Sequence, residues 1–182
     1  IIKNMKKLTQ TINRVFILLS LLAVAVFYAQ SVTGKSFKVA VNGTSPMHDW
    51  TMTSTSAVFT GTVNGNAITN VKFVMASKNL KSEKGKMMDN KALKALKADA
   101  NPNITFTAAS LPIGKSNVAG KLTIAGVTRN VNITVNVEKN GNSYEITGSE
   151  SLKMSEYGME TPGFLGVNTG DAVTVNVNIV AN

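Results

Sequence analysis

Cysteine is absent from the 182 residues, and histidine occurs once. The first absence excludes disulfides, thiol nucleophiles, cysteine-ligated metals and a lipid anchor on an N-terminal cysteine. It is silent on export, because oxidising compartments permit disulfides without requiring them. The second leaves His48 with no companion imidazole, so a zinc site would need several carboxylates to converge on it. Carboxylates are themselves sparse, 10 Asp and Glu against 19 Lys and Arg, and none are spaced as a general acid–base couple. No serine stands in a Gly-x-Ser-x-Gly elbow. Gly34-Lys35-Ser36 and Gly114-Lys115-Ser116 lack the upstream glycine of a phosphate-binding loop. Asp49 adjoins His48, but neighbours along a strand point to opposite faces, so a structural histidine near a strand end is the plain reading. Enzyme chemistry has no visible home, no metal or cofactor is called for, and the expectation is a protein that is not an enzyme.

Aromatic residues make up only 6% of the chain. They do not interleave with the densest lysine cluster (Lys78, Lys81, Lys84, Lys86, Lys91, Lys94 and Lys97), as a surface that stacks single-stranded nucleic acid requires. A solvated face is therefore expected and nucleic acid is not; attraction to an anionic membrane surface or a phosphate headgroup stays open.

Long hydrophobic runs are missing too. The longest, Val15 to Ala29, is apolar except for Ser20 and falls short of the roughly 20 residues that span a bilayer. Lys6, Lys7 and Arg14 precede it, after an initiator best placed at Met5, and the whole reads as a secretory signal peptide. Cleavage after Ala25 matches a small-x-small pattern, whereas cleavage after Ala29 coincides with the change to polar sequence at Gln30 and is preferred. The expected product is exported, periplasmic or secreted, with no membrane span once residues 1–29 are removed. The formal charge of +9 then shrinks, since four of the 19 basic residues precede residue 30, leaving 15 against 10 acidic, a net +5.

What the mature chain has in plenty is period-two alternation. Phe37, Val39 and Val41 alternate with polar or small residues, as do Val71, Phe73 and Met75, and Ile104 and Phe106. Val131, Ile133, Val135 and Val137, and Val173, Val175, Val177 and Ile179, are the clearest cases. Such runs predict antiparallel strands with one face buried and one wet. Asn64-Gly65 and Asn140-Gly141 sit between alternating runs as hairpin turns. About eight or nine strands are expected, in one all-β domain over 34–182. One stretch departs from this. Asp89 to Ala98 carries helix formers with Met88, Ala92, Leu93 and Leu96 on one side, so a short helix is expected, capped by Asp89 or Asn90 and ended by Asn101-Pro102. Alternation cannot decide between a barrel and a sandwich. Nor can it decide what Trp50, Phe59, Phe73, Met75, Phe106, Met154, Tyr157 and Phe164 do, because ordinary core packing and the lining of a cavity both use such residues.

Gly120-Lys121-Leu122-Thr123-Ile124-Ala125-Gly126-Val127-Thr128-Arg129 resembles the G-x-LTI-x-GVT-(R/K) signature of the YceI-like polyisoprenoid-binding family. Four further segments agree in order and spacing: Gly43 to Thr51 with its Gly-Thr-Ser-x-x-His-Asp-Trp, Asn101 to Phe106, Met154 to Met159, and Gly170 to Val173. The resemblance runs from Phe37 to Ala181. It implies a lipocalin-like, eight-stranded antiparallel barrel that holds an isoprenoid lipid or quinone in its interior. By that resemblance Trp50, Phe106, Ile124 and Tyr157 are candidates for the tunnel wall, joined by the wider set of Phe59, Phe73, Met75, Met154 and Phe164. His48 and Arg129 are candidates for a polar rim. The alternative is a structural or interaction module of the cell envelope with a solid barrel. Whether the barrel pairs as a homodimer is left open.

Overall fold

A computed structural model describes residues 30–182, except Leu165 and the side chain of Phe164. Residues 1–29, and with them the signal-peptide reading, lie outside the described residues. The alternating runs form strands β1 (Gln30–Gly43), β2 (Trp50–Ser54), β3 (Val58–Asn64), β4 (Ala67–Ala76), β5 (Lys81–Ser82) and β6 (Asn103–Pro112). They continue as β7 (Gly114–Ile124), β8 (Val127–Asn140), β9 (Ser143–Lys153), the short pair β10 (Gly163–Phe164) and β11 (Val167–Asn168), and β12 (Ala172–Ala181). One helix, α1 (Lys86–Ala95), interrupts them.

All pairings are antiparallel, in the order β12-β9-β8-β7-β6-β4-β3-β1, and β1 returns to pair with β12 from Gly34↔Ala181 to Gly43↔Val173. The sheet is thus a closed ring. Two of its members are broken staves. β1 pairs with β3 through Thr33↔Thr60 and with β2 through Val39↔Ser54, a step of six on each strand, so β2 and β3 follow one line interrupted at 55–57. β4 and β5 are likewise one line, interrupted by a 3-10 turn at Ser77–Asn79. The result is a closed barrel of eight staves, the architecture the resemblance implies, and closure leaves no long unpaired edge.

The two ends differ. At one end the staves turn tightly through Gly65-Asn66 and Gly141-Asn142, where the glycines take φ 57 and 61 and the asparagines do not enter the left-handed region. That is the type II′ pattern, with Gly at the first central position. Val32, Ile68, Val118, Val137, Tyr144 and Ala181 pack this end shut. The chain also ties itself together here, Thr33 and Asn182 exchanging backbone bonds of 3.0 and 3.1 Å. At the other end lie residues 44–49, α1 with its flanks, and the segment from 154 to 171.

The helix begins and ends earlier than the composition suggests. Gly85, at φ 86, takes the N-cap position, so neither Asp89 nor Asn90 caps the helix. Asp89 lies within its first turn and faces back to β5, where Oδ1 accepts from the Ser82 amide at 2.7 Å and Oδ2 stands 3.5 Å from Lys81 Nζ. At the other end Lys97 adopts φ 50, its amide donates to Lys94 O and that of Ala98 to Leu93 O, both at 3.0 Å. This is a Schellman cap, which stops the helix before Pro102 is reached. A lysine in the left-handed region carries a steric cost that glycine avoids. Lys97→Gly is therefore expected to stabilise the barrel by about 0.5–1 kcal/mol in chemical denaturation; an unchanged or lowered midpoint would contradict this account of the cap.

Candidate functional site: an apolar cavity in the barrel

Because successive strand residues alternate, each stave sends every second side chain inward. Toward the end that carries α1 these side chains do not meet, and a cavity of about 240 Å3 remains. Its wall takes Val39 and Val41 from β1, Trp50 and Met52 from β2, Phe59 from β3, and Val71, Phe73 and Met75 from β4. Phe106 of β6, Ile124 of β7, Val135 of β8, and Val175 and Val177 of β12 continue the circuit. Met88, Ala92 and Ala95 of α1 and its C-cap residue Leu96 form the roof. The packed residues of the far end are the floor.

Glycines decide how much room is left. A Cβ on Gly43 would overlap the Trp50 ring, and one on Gly120 would overlap Phe106. These rings occupy the space over glycine backbone, lying along the wall instead of crossing the lumen. Gly148 of β9 is different. It lines the cavity, its backbone is outside the left-handed region, and an added Cβ would find only ordinary contacts, the nearest at 3.7 Å to Thr134 O. Nothing in the backbone demands glycine there; its effect is empty volume.

An apolar void of this size is costly. At about 24 cal/mol per Å3, 240 Å3 forgoes on the order of 6 kcal/mol of packing, comparable to the whole stability of a small domain.

Polar groups enter the wall mainly toward the mouth: Ser82, Lys91, Ser149, Glu150 and Thr169. Glu150 shares the inward face of β9 with Tyr144, Ile146, Gly148 and Leu152. The β8–β9 pairing stops at Thr134↔Ser149, whereas β9 runs on beside β12 with Glu150↔Val175. Glu150 therefore stands where two staves part, and burial pushes its carboxyl above the ordinary value of 4.5. Thr169 Oγ1 is buried with no hydrogen-bond partner among the described residues, and Lys91 Nζ donates to Gly163 O at 3.0 Å.

A 3-10 turn, Met154–Tyr157, covers the parting of the staves. Asp171 holds it: the Ser155 amide donates to Oδ1 at 2.8 Å, Ser155 Oγ to Oδ2 at 2.6 Å, and the Met154 amide to Asp171 O at 2.9 Å. Those hydrogen bonds from Ser155 hold the Asp171 carboxyl below 3.8. Arg129 Nε donates to Glu156 O at 2.8 Å from the β8 side. Three of the family-like segments thus meet to build one piece of the rim.

Of the residues singled out in the sequence, Trp50, Phe59, Phe73, Met75, Phe106, Ile124 and Met154 stand in the cavity wall. Tyr157 is buried, 1% exposed, but belongs to the covering turn and not to the wall. The side chain of Phe164 lies outside the described residues. His48 is exposed, with Nδ1 3.1 Å from Asp49 O, and neither it nor Arg129 lines the cavity. Among the described residues no three His, Cys, Asp or Glu side chains gather as metal ligands. A short amphipathic helix lying across the barrel was expected from the sequence, but none of its residues was singled out for the cavity wall, and Gly148 and Glu150 were missed. Glu150 did leave a signal, a carboxylate on the inward beat of β9.

The YceI-like domain family model matches residues 27–181. The structure is similar to that of BcnA from Burkholderia cenocepacia, with TM-score 0.68 and 20% identity over 80% of this chain and 96% of that one. It is equally similar, at 0.68 and 12% identity, to a polyisoprenoid-binding domain from Saccharophagus degradans implicated in plant cell wall breakdown, over 83% and 97% of the two chains. A YceI protein from Campylobacter jejuni aligns at 0.54 with 17% identity over 86% of each chain. No curated protein matches the sequence.

Two carboxyls with opposite shifts predict opposite pH behaviour. The folded state holds the Glu150 proton more tightly than the unfolded chain does, so stability falls as pH rises from 4.5 through the raised value. Glu150→Gln should therefore be more stable than the parent at pH 7, with the advantage shrinking as pH falls through the raised value and gone below 4.5. The lowered Asp171 contributes stability above 3.8 that is lost as pH falls through its folded value. Asp171→Asn should weaken the protein at neutral pH and converge with the parent in strong acid. Thermal unfolding across pH tests both.

Proposed function

Since the chain belongs to the YceI-like domain family, we propose that it is an exported, non-catalytic carrier that binds an isoprenoid-type lipid inside its barrel. The observation that carries this reading is the apolar cavity of about 240 Å3, blind at one end and roofed by α1 at the other. It is larger than the roughly 150 Å3 apolar cavity that holds a benzene-sized molecule, so a slender chain has room to enter. Burying that chain is worth about 25 cal/mol per Å2 removed from water, and it restores the packing that the empty lumen lacks. A solid-barrel envelope module has no use for such a void. The Saccharophagus degradans neighbour, described as polyisoprenoid-binding, supports the same class of ligand.

The ligand lies with its chain toward the floor and its polar end toward Glu150 and the unpartnered Thr169 hydroxyl, the polar part of the wall. Nothing in this arrangement calls for bond breaking. Export makes the role coherent, since a long isoprenoid does not cross an aqueous compartment unaided.

Organic extraction of purified protein followed by mass spectrometry is expected to release a prenyl lipid. Gly148→Leu should fill the lumen, abolish that lipid and raise the melting temperature of lipid-free protein. Lipid-free wild type together with an unchanged Gly148→Leu melting temperature would sink the proposal. For export, cell fractionation should find the protein outside the cytoplasm, with mass spectrometry reading Gln30 as its first residue.

A further inference from the structure

Glu150 lines the cavity from β9, and among the described residues its carboxyl accepts no hydrogen bond and pairs with no cation. Thr169 Oγ1, in the segment between β11 and β12, is buried without a partner among the same residues. Unpaired polar groups withdrawn from water are costly, and a group from outside the chain can complete them. These two belong to the wall of one cavity whose lining is otherwise mostly apolar.

The surrounding charges leave Glu150 without a counterion. Lys91 of α1 is the one cation in the described wall, and its Nζ donates to Gly163 O at 3.0 Å. Arg129 of β8 donates to Glu156 O in the covering turn, and Asp171, ahead of β12, accepts from Ser155. The Tyr157 hydroxyl in that turn has its pKa raised by burial first and then by the charge of Glu156, with Arg129 opposing and Glu150 adding. At Glu150 itself burial raises the pKa, and no cation acts to lower it. An anionic head placed here meets an ionised carboxyl with nothing to neutralise either charge. A head that donates a hydrogen bond instead satisfies that carboxyl, and the Thr169 hydroxyl can donate to the same head or accept from it.

We propose that Glu150 selects the ligand by its polar end, retaining uncharged heads that donate a hydrogen bond, of the alcohol or phenol class, and refusing anionic heads such as a prenyl phosphate. This rests on the carrier reading and sharpens it: the apolar wall accepts any slender chain, and discrimination falls to one carboxyl. A head with no donor leaves that carboxyl desolvated and unpaired, whereas a negative head adds repulsion to the same cost. Two unit charges about 4 Å apart weaken binding roughly fivefold even at the dielectric constant of bulk water, and by more in a partly buried wall.

Trp50, the single tryptophan, stands in the cavity wall, so its fluorescence reports occupancy. Farnesol, farnesyl methyl ether and farnesyl monophosphate share one chain and differ only in the head; each is titrated into lipid-free protein in mildly alkaline buffer. Farnesol is expected to bind most tightly, the ether more weakly, and the monophosphate weaker than farnesol by roughly fivefold or more. Glu150→Gln keeps the shape of the side chain and removes its charge. In that variant the gap between alcohol and monophosphate is expected to shrink by about the same factor. Parent protein that binds the monophosphate as tightly as farnesol overturns the proposal, and so does a gap that persists undiminished in Glu150→Gln. An ether that equals the alcohol overturns the role of the donated hydrogen bond. In each of these cases the chain still binds, so only the selection fails. If no ligand perturbs Trp50 or co-elutes with the protein in gel filtration, the carrier reading fails and the selection falls with it.

Discussion

The pairing of β1 with β12 is the contact on which the interior depends. Without it the eight staves would be an open sheet with one apolar face, obliged to cover that face with something else. With it, the inward side chains of every stave converge on a common axis, and the volume they enclose is set by ring size more than by any one residue. The ring is filled at the floor, where Val32, Ile68, Val137 and Tyr144 meet. Nearer the mouth Gly148 contributes no side chain, and the rings of Trp50 and Phe106 lie over Gly43 and Gly120. The hollow is a local choice within a closed frame.

The rim relaxes the same frame. β8 and β9 separate above Thr134↔Ser149, and a turn stapled by Asp171 covers the parting where a continuous ladder would otherwise run. At this parting of the staves an ionisable group, Glu150, enters the wall. Desolvation of that carboxyl opposes stability at neutral pH, whereas the hydrogen-bonded Asp171 supports it. The polar cost is confined to the part of the cavity toward the mouth.

How much of this was legible in the sequence varies with how local each feature is. The alternation of Val131–Val137 and Val173–Ile179 places β8 and β12 with no reference to the rest of the molecule, and the Asn-Gly pairs mark the β3–β4 and β8–β9 hairpins. Closure was not legible from alternation, since a sandwich shows the same pattern; the resemblance carried it. The helix boundaries were misplaced because Gly85 and Lys97 take positive φ values that composition does not announce. Asp89 looked like a cap because of its residue type, yet its partner is the amide of Ser82, seven residues back. Cavity and packed core draw on the same residues, so Phe59 or Met75 could be recognised as inward but not as bordering empty space. Gly148 and Glu150 gain meaning only once the register of β9 against β8 and β12 is known.

The joining of Thr33 to Asn182 has a bearing on how such a chain can be made. β1 is the first stave to emerge and waits for the last, so its principal ladder spans nearly the entire domain. Contacts of that sequence separation form slowly and late. A chain synthesised from its N-terminus therefore has no closed ring until β12 has followed. The lock that makes the finished barrel stable is the last to become possible, so the chain stays pliable until its final strand is made.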